Sequence, residues 1–260
     1  MDFRAEAVWE SVASLLPGFT VEVLPEIAST NTELMHRARA GQADPVLLVA
    51  ERQTAGRGRL GRDWHSGAGD ALTFSLGLPL APASWSGLSL AVGVALAESL
   101  HPGLQLKWPN DLWWQQRKLG GILIETATTV APLAAAPAGG PHLARYAVIG
   151  VGLNLTPRAD AGLSTPPAAL EELLPGVDAG ALLLRVAAPL VAAVLAFGEH
   201  GFAPFQSRFN ARDALRDRSV RLSDGTLGTA HGASEDGALL VHTAGGMKPV
   251  TSAEVSVRPA

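Results

Sequence analysis

The stretch from Glu51 to Asp70, E-R-Q-T-A-G-R-G-R-L-G-R-D-W-H-S-G-A-G-D, constrains this chain more than any other. It sets Gly56, Gly58, Gly61, Gly67 and Gly69 among Arg57, Arg59 and Arg62, with few apolar side chains. Such a run has too little apolar surface to build a core. Glycine lets the backbone take positive φ and approach a ligand closely. Each arginine offers a permanent charge and a planar donor fork suited to phosphate or carboxylate. The stretch is therefore expected to be a loop that is poorly ordered alone and settles around an anion. Apolar segments on either side, Pro45–Glu51 and Ala71–Leu78, predict strands that anchor it. Gly56 to Gly61 also spells G-x-G-x-x-G, but that pattern marks a dinucleotide site only where an apolar helix follows at once. Arg62, Asp63, Trp64, His65 and Ser66 follow instead, which reads as a turn. No Lys-Ser or Lys-Thr follows the glycines, so a P-loop is excluded. The plain alternative is a solvated basic loop. Trp64 beside the arginines favours stacking on a ring such as adenine.

The rest of the chain dilutes this cationic stretch. Its 260 residues carry a net charge of −4 and are 47% hydrophobic and 17% charged. That is an ordinary globular balance, with material for a sizeable core. A globally acidic chain is a poor general binder of nucleic acid, because that affinity rests on neutralising phosphates. The absence of cysteine excludes disulfides, thiolate zinc sites and a cysteine nucleophile. The start, M-D-F-R-A-E-A-V-W-E, does not resemble a signal peptide. The longest apolar run, Val186–Gly198, contains Pro189 and is too short to span a bilayer. A cytoplasmic protein with no membrane association is expected.

Taken in order, Ala5–Leu16 predicts an amphipathic helix stopped by Pro17-Gly18, and Phe19–Leu24 a strand. Ser29-Thr30-Asn31-Thr32-Glu33 reads as a helix start, with Thr30 and Glu33 as a capping box. Leu88–Leu100 predicts a helix and Leu104–Trp108 a strand broken by Pro109-Asn110-Asp111. Leu112–Trp114 and Leu119–Thr126 form a hairpin, Val130–Pro141 is low in complexity, and Tyr146–Leu155 is a strand. Pro157–Pro175 reads as irregular or weakly helical. Asp178–His200 and Phe202–Arg212 predict two helices. From Ser219 to Val257, short strands alternate with Asp224-Gly225, Asp236-Gly237 and Gly245-Gly246, the turn spacing of a small all-β barrel. The boundary falls near Asp213, giving a domain at 1–212 and a barrel at 213–260. No internal repeat is present.

Two further clusters carry chemistry. Lys107-Trp108-Pro109-Asn110-Asp111, followed by Lys118-Leu119-Gly120-Gly121-Ile122-Leu123, ends a strand in charged and amide groups. In Gly150-Val151-Gly152-Leu153-Asn154, glycines interrupt an apolar strand, as they do at bulges or where a ligand approaches. Asn154 would be a buried amide in need of partners. Each cluster alone fits a surface lysine, an Asx turn or close strand packing. Together and in this order, S-T-N, Q-T-A-G-R-G-R-x-G-R-x-W, K-W-P-N-D, R-K-L-G-G-I-L and G-x-G-x-N resemble the biotin–protein ligase family. Motifs carry the resemblance from Ser29 to Thr156. Asp63 departs from it, standing where many members have a basic residue. Too few residues precede Ser29 for the winged helix-turn-helix of members that double as repressors, so no DNA partner is expected.

The resemblance implies an α+β fold: a mixed-sheet catalytic domain with a C-terminal SH3-like barrel. It implies ATP and biotin as substrates, with Mg²⁺. Biotin's carboxylate attacks the α-phosphorus of ATP, giving biotinyl-5′-AMP. A specific lysine of a biotin carboxyl carrier protein, that of acetyl-CoA carboxylase or a related carboxylase, then takes the biotinyl group. Carried over by position, Ser29, Thr30, Asn31, Gln53 and Gly56 belong to the biotin site. Arg57, Gly58 and Arg59 belong to the segment closing over biotin and the phosphates. Arg62, Trp64, Asn110 and Asn154 belong to the adenylate side. Lys118 bridges biotin carboxylate and α-phosphate. Asp111 lies near the reacting centre and helps the incoming lysine lose its proton. No metal ligand is firmly implied; Asp111 is a candidate beside a Mg²⁺ held mainly by the phosphates. Lys107 has the loosest role. Members of the family also form homodimers by pairing sheet edges, and this sequence leaves the oligomeric state open. Three alternatives compete: a lipoate–protein ligase, a non-catalytic biotin-binding regulator and an RNA-binding module. The R-G-R segment with Trp64 favours biotin, Lys118 with Arg57 and Arg59 favours turnover, and the acidic net charge disfavours RNA.

Overall fold

The computed structural model describes residues 2–67, 69–128, 144–157, 165–176, 178–251 and 257–259. In chain order come α1 (Ala5–Ala13), β1 (Thr20–Ile27), α2 (Thr30–Arg39), β2 (Val46–Arg57), β3 (Asp63–Ser66), β4 (Ala71–Leu80) and α3 (Leu88–Leu100). They are followed by β5 (Gln105–Lys107), β6 (Asp111–Trp114), β7 (Arg117–Ala127), β8 (Arg145–Asn154), α4 (Ala179–His200) and α5 (Gln206–Asn210). The chain ends in β9 (Ser219–Leu222), β10 (Leu227–Ala233), β11 (Leu239–Thr243), β12 (Gly246–Val250) and β13 (Val257–Pro259). Strands β1 to β8 make one mixed sheet in the order β1-β2-β4-β8-β7-β6-β5, with β3 paired to β2. The pair β1–β2 is parallel and the rest are antiparallel.

The apolar runs of β2, β4 and β8 are buried on both faces of this sheet. On one face Leu47, Val49, Leu72, Phe74, Leu76, Ile149, Val151 and Leu153 meet α1, α3 and α4 in the main core. Burial of this many large side chains is the dominant stabilising term of the fold. On the other face, helix α2 covers Val46, Leu48, Tyr146 and Val148 with its Leu34, Met35 and Ala38. Beyond α2 the same face continues as Ser75, Thr73, Gly150, Gly152 and Asn154. Small and polar residues therefore follow the covering helix, and the sheet is left open there.

Helix α4 is long and apolar enough to cross a bilayer by length and composition. The expected shorter run is only part of it. Its Leu182, Leu183, Val186, Leu190, Val194 and Phe197 are buried in the main core, and Asp178 caps its first turn by accepting from the Ala181 N–H at 2.7 Å. The helix expected over Phe202–Arg212 is instead a short 3₁₀ turn, Ala203–Phe205, running into α5. Val130–Pro141 lies outside the described residues.

Strands β9 to β13 form a separate antiparallel sheet, ordered β12-β11-β10-β9-β13. It seats on the large sheet at two points. The segment Arg212 to Ala214 pairs with the free edge of β5: Leu106 N–H donates to Arg212 O at 2.8 Å and Ala214 N–H to Leu106 O at 2.9 Å. The buried Trp108 indole donates to Gly237 O at 3.1 Å. Val220, Leu222, Ala230, Leu239 and Val241 join the same main core.

Candidate active site

Two rows of residues crossing the sheet make the floor of a cavity of about 520 Å³. One row runs Ser75–Gly150–Leu123, of which Gly150 and Leu123 line the cavity and Ser75 is buried behind it. The other runs Thr73–Gly152–Gly121–Asp111–Lys107. Residues in register on neighbouring strands share a face, so groups far apart in sequence meet here. Lys118 reaches this face through an irregularity. Leu112 pairs with Gly120 but Trp113 pairs with Lys118, so Leu119 is the extra residue of a bulge. A bulge re-aims the side chains beside it. This one brings the Lys118 ammonium to 2.7 Å from Asp111 Oδ1.

The arginine stretch is not an open loop. Strand β2 continues through it to Arg57, Arg59–Gly61 forms one 3₁₀ turn, and β3 folds back antiparallel, pairing Gly56 with Trp64 and Arg57 with Asp63. Gly58 N–H donates to Arg62 O at 2.7 Å. The backbone pairing available to both arms outweighs their low apolar content. As expected, no helix follows the glycines. Arg57, Gly58, Arg59, Arg62 and Trp64 all line the cavity. Gly56 does not; it is buried in the hairpin, where a Cβ would lie 2.3 Å from Trp64 O. Arg59 is half-buried and donates to Asn110 Oδ1 at 3.3 Å. Burial pushes its guanidinium below the ordinary arginine value; Asp111 opposes the shift and Arg62 adds to it. Asn110 is itself held by β7: its Nδ2 donates to Ile122 O at 2.8 Å, and its O accepts from Ile122 N–H at 2.9 Å.

At the other end lie Ser29, Thr30, Asn31 and Gln53. Ser29, rather than Thr30, caps α2, its Oγ accepting from Thr32 N–H at 3.4 Å. Glu33 pairs with Arg37 instead of closing a capping box. That frees Thr30 to turn inward, where its N–H and hydroxyl meet Gln53 Oε1 at 2.8 and 3.1 Å. The glycines of β8 serve protein groups rather than a ligand directly. A Cβ on Gly150 would lie 2.2 Å from Asn31 Oδ1, and one on Gly152 2.5 Å from the Trp64 ring. Trp64 thus lies flush on the floor, and its buried Nε1 has no hydrogen-bond partner. Asn154 lines the cavity, but its Nδ2 is committed to Lys118 O at 3.2 Å and Ala168 O at 3.0 Å. It ties β7 and β8 to the wall segment Thr165–Pro167.

All the expected site residues except Gly56 therefore converge on one cavity. Sequence reasoning missed Thr73, which lines the cavity, Ser75, buried behind it against Thr30, and the lining residues Trp113 and Gln116. The signal for the first two was present in A-L-T-F-S-L-G, where Thr73, Ser75 and Gly77 alternate with Leu72, Phe74 and Leu76. Trp113, over which Lys107 Nζ sits at 4.8 Å from the ring centroid, carries no such local mark.

Known proteins share both the geometry and the sequence. Residues 23–136 match the Biotin/lipoate A/B protein ligase family, and residues 218–258 match the Biotin protein ligase C terminal domain. The chain is 35% identical to the bifunctional ligase/repressor BirA of Escherichia coli, over 96% of this chain and 78% of that one. It is 32% identical to the biotin–[acetyl-CoA-carboxylase] ligase of Paracoccus denitrificans, over 90% and 98%. The biotin protein ligase of Aquifex aeolicus in complex with biotin and ATP superposes with a TM-score of 0.76, at 28% identity, covering 92% of this chain and 99% of that one. On the strength of these relatives, the chain belongs to the biotin–protein ligase family.

Proposed function

We propose that the chain joins biotin to a lysine of a biotin carboxyl carrier protein in two steps within this one cavity. In the first, a biotin carboxylate oxygen attacks the α-phosphorus of ATP, the bond from that phosphorus to the β-phosphate oxygen breaks, and pyrophosphate leaves. In the second, the lysine amine attacks the acyl carbon of biotinyl-5′-AMP, AMP leaves, and the amine gives up a proton. The activity is that of an ATP-dependent biotin–protein ligase. The carrier of acetyl-CoA carboxylase, the substrate that relatives' names print, is the acceptor in this reading, and the cytoplasm its compartment.

The observation that carries this reading is the Lys118–Asp111 pair at 2.7 Å, in a cavity also lined by Ser29, Thr30 and Gln53 and by Arg59, Arg62 and Trp64. Joining two anions calls for cations at the reacting oxygens and tight positioning rather than a protein nucleophile. Lys118 bridges carboxylate and α-phosphate, with Arg59 and Arg57 above them. Asp111 is released from Lys118 as the phosphate arrives and then accepts the proton of the acceptor lysine. Ser29, Thr30, Asn31 and Gln53 hold the biotin head; Trp64, Arg62, Asn110 and Asn154 serve the adenylate. Among the described residues no three His, Asp or Glu side chains converge on a metal position. The donor set thus suits a Mg²⁺ that arrives on the phosphates, with Asp111 the carboxylate at hand, and that neutralises charge on the leaving pyrophosphate. Residues of the first 212 carry these groups, and β9 to β13 form the accessory sheet.

ATP–pyrophosphate exchange tests the reading. Exchange is expected only with biotin present, and lipoate should not replace it. Exchange that lipoate supports and biotin does not would establish the lipoate ligase instead.

A further inference from the structure

Tandem prolines shape the wall beside Lys118. The segment Thr165–Pro167 lines the cavity and joins β7 through one parallel bridge, Lys118 opposite Pro167. The bridge has two bonds: Lys118 N–H donates to Pro166 O at 2.8 Å, and Ala168 N–H donates to Lys118 O at 2.8 Å. Neither Pro166 nor Pro167 has an N–H. The pairing therefore cannot run on towards the β6–β7 turn, and the outer edge of the segment at Pro167 can only accept. Downstream the chain is secured independently. Ala168 and Leu170 are buried in the main core, and Glu171 N–H donates to Leu155 O at 3.0 Å. The stretch that faces the cavity is the weakly tied part.

Arg117 supplies a donor to that stretch. It precedes Lys118 on β7, so the two side chains take opposite faces of the strand; of the two, Lys118 lines the cavity. Arg117 Nη1 donates to Pro167 O at 3.3 Å. The same guanidinium forks onto Glu172, Nη1 to Oε1 at 3.1 Å and Nη2 to Oε2. Glu172 Oε1 also accepts from the Ala169 N–H at 2.9 Å. The bond from Arg117 holds the Glu172 carboxyl below the usual carboxylate range; burial opposes this and the Ala169 bond adds to it. With 31% and 27% of the two side chains exposed, the pair adds little stability by charge alone. A planar fork held at both tips fixes direction instead, and here it aims the guanidinium at Pro167 O.

We propose that Arg117, held by Glu172, is a positioning residue of the ligase reaction: it clasps Thr165–Pro167 against β7 at Lys118 and so completes the cavity wall on the side of Asn154. Arg117 and Glu172 touch no substrate and act through that wall and the Lys118 backbone. The inference rests on the ligase reading above, in which this side takes ATP, so the clasp governs the nucleotide and not biotin.

Two measurements on the whole chain test it. The first needs no ligand: amide hydrogen exchange at Lys118, whose N–H is bonded to the wall. Arg117→Ala should speed it by about tenfold or more and leave the Ile149 amide, in the middle of β8, unchanged. The second is pyrophosphate exchange. In Arg117→Ala the KM for ATP should rise about fivefold or more, with the KM for biotin within about twofold of the original. Glu172→Gln keeps an acceptor for Ala169 and loses the charge, and should move both readouts the same way by about threefold. An unchanged Lys118 amide in Arg117→Ala would overturn the clasp, as would a KM for biotin raised as far as that for ATP. Equal acceleration at Lys118 and Ile149 would make the pair an ordinary support of the fold and overturn it too. Should Arg117→Ala not fold, an unchanged Lys118 amide in Glu172→Gln decides against the proposal. An unaltered chain that exchanges no pyrophosphate in the presence of biotin would sink the ligase reading, and the Lys118 amide would still report on the clasp separately.

Discussion

Lys118 is the residue with the most to lose. Its ammonium lies 2.7 Å from Asp111 Oδ1, where the proposed reaction brings two substrate anions together. Lys118→Ala is expected to slow biotin-dependent pyrophosphate release by on the order of 3 kcal/mol, roughly a hundredfold or more. A mutant releasing pyrophosphate at the original rate would remove Lys118 from the chemistry. The arginines divide differently. Arg59 is half-buried and bonded to Asn110, whereas Arg62 is exposed beyond the 3₁₀ turn. Arg59→Ala should weaken biotin and adenylate together and let adenylate escape. Arg62→Ala should weaken ATP by about 1–3 kcal/mol and spare biotin. Calorimetric titration of each substrate separates the two, and a loss of biotin affinity as large in Arg62→Ala as in Arg59→Ala would refute the division.

At the scale of elements, strand β8 divides the cavity between two neighbours. Gly150 makes room for Asn31, at the end proposed for biotin, and Gly152 makes room for Trp64, at the end proposed for the nucleotide. A methyl at either position must displace a packed group, at a cost of about 1–3 kcal/mol. Gly150→Ala is therefore expected to raise the KM for biotin and Gly152→Ala the KM for ATP. Identical profiles from the two mutants would show that the strand does not partition the site. The β2–β3 hairpin is the element proposed to close over the ligands. Its tip carries the exposed Leu60 at a positive φ of 56°, and cleavage after Arg57 or Arg59 should be slowed by biotin with ATP. Cleavage at one rate with and without ligands would argue against closure.

For the whole molecule the seam between the two sheets matters most. Asp213 sits in that seam. Leu215 N–H donates to its Oδ1 at 2.9 Å, while its buried Oδ2 lacks a partner. Burial pushes its carboxyl up to about 6, against the Leu215 bond and Arg216, with Asp217 adding to the rise. A carboxyl raised in the folded state binds a proton that the unfolded chain has already lost. Stability therefore falls as pH rises from about 4 to about 6, and the full penalty remains above that. Asp213→Asn should melt higher than the unaltered chain at pH 8, by about 1 kcal/mol or more, with the difference vanishing near pH 4. A pH-independent difference would contradict this. Because β5, Trp108 and the second sheet share hydrogen bonds and one core, the chain is expected to unfold in one transition, and a fragment ending at residue 212 should not fold.

The sequence alone determined the family and most of the elements. The glycine–arginine stretch, K-W-P-N-D, Lys118 and Asn154 are readable because residue type and close spacing are local properties. So is the periodicity that marks Leu88–Leu100 as a helix or Tyr146–Leu155 as a strand. Three decisions belong to the tertiary structure. Register across five strands sets Thr73, Gly152, Gly121, Asp111 and Lys107 in one row. The extra residue Leu119 turns Lys118 onto that row. Competition for the start of α2 gave the cap to Ser29 and sent Thr30 to Gln53 and Ser75. Each outcome depends on hydrogen bonds between segments remote in the chain, and a local pattern carries no record of its distant partner.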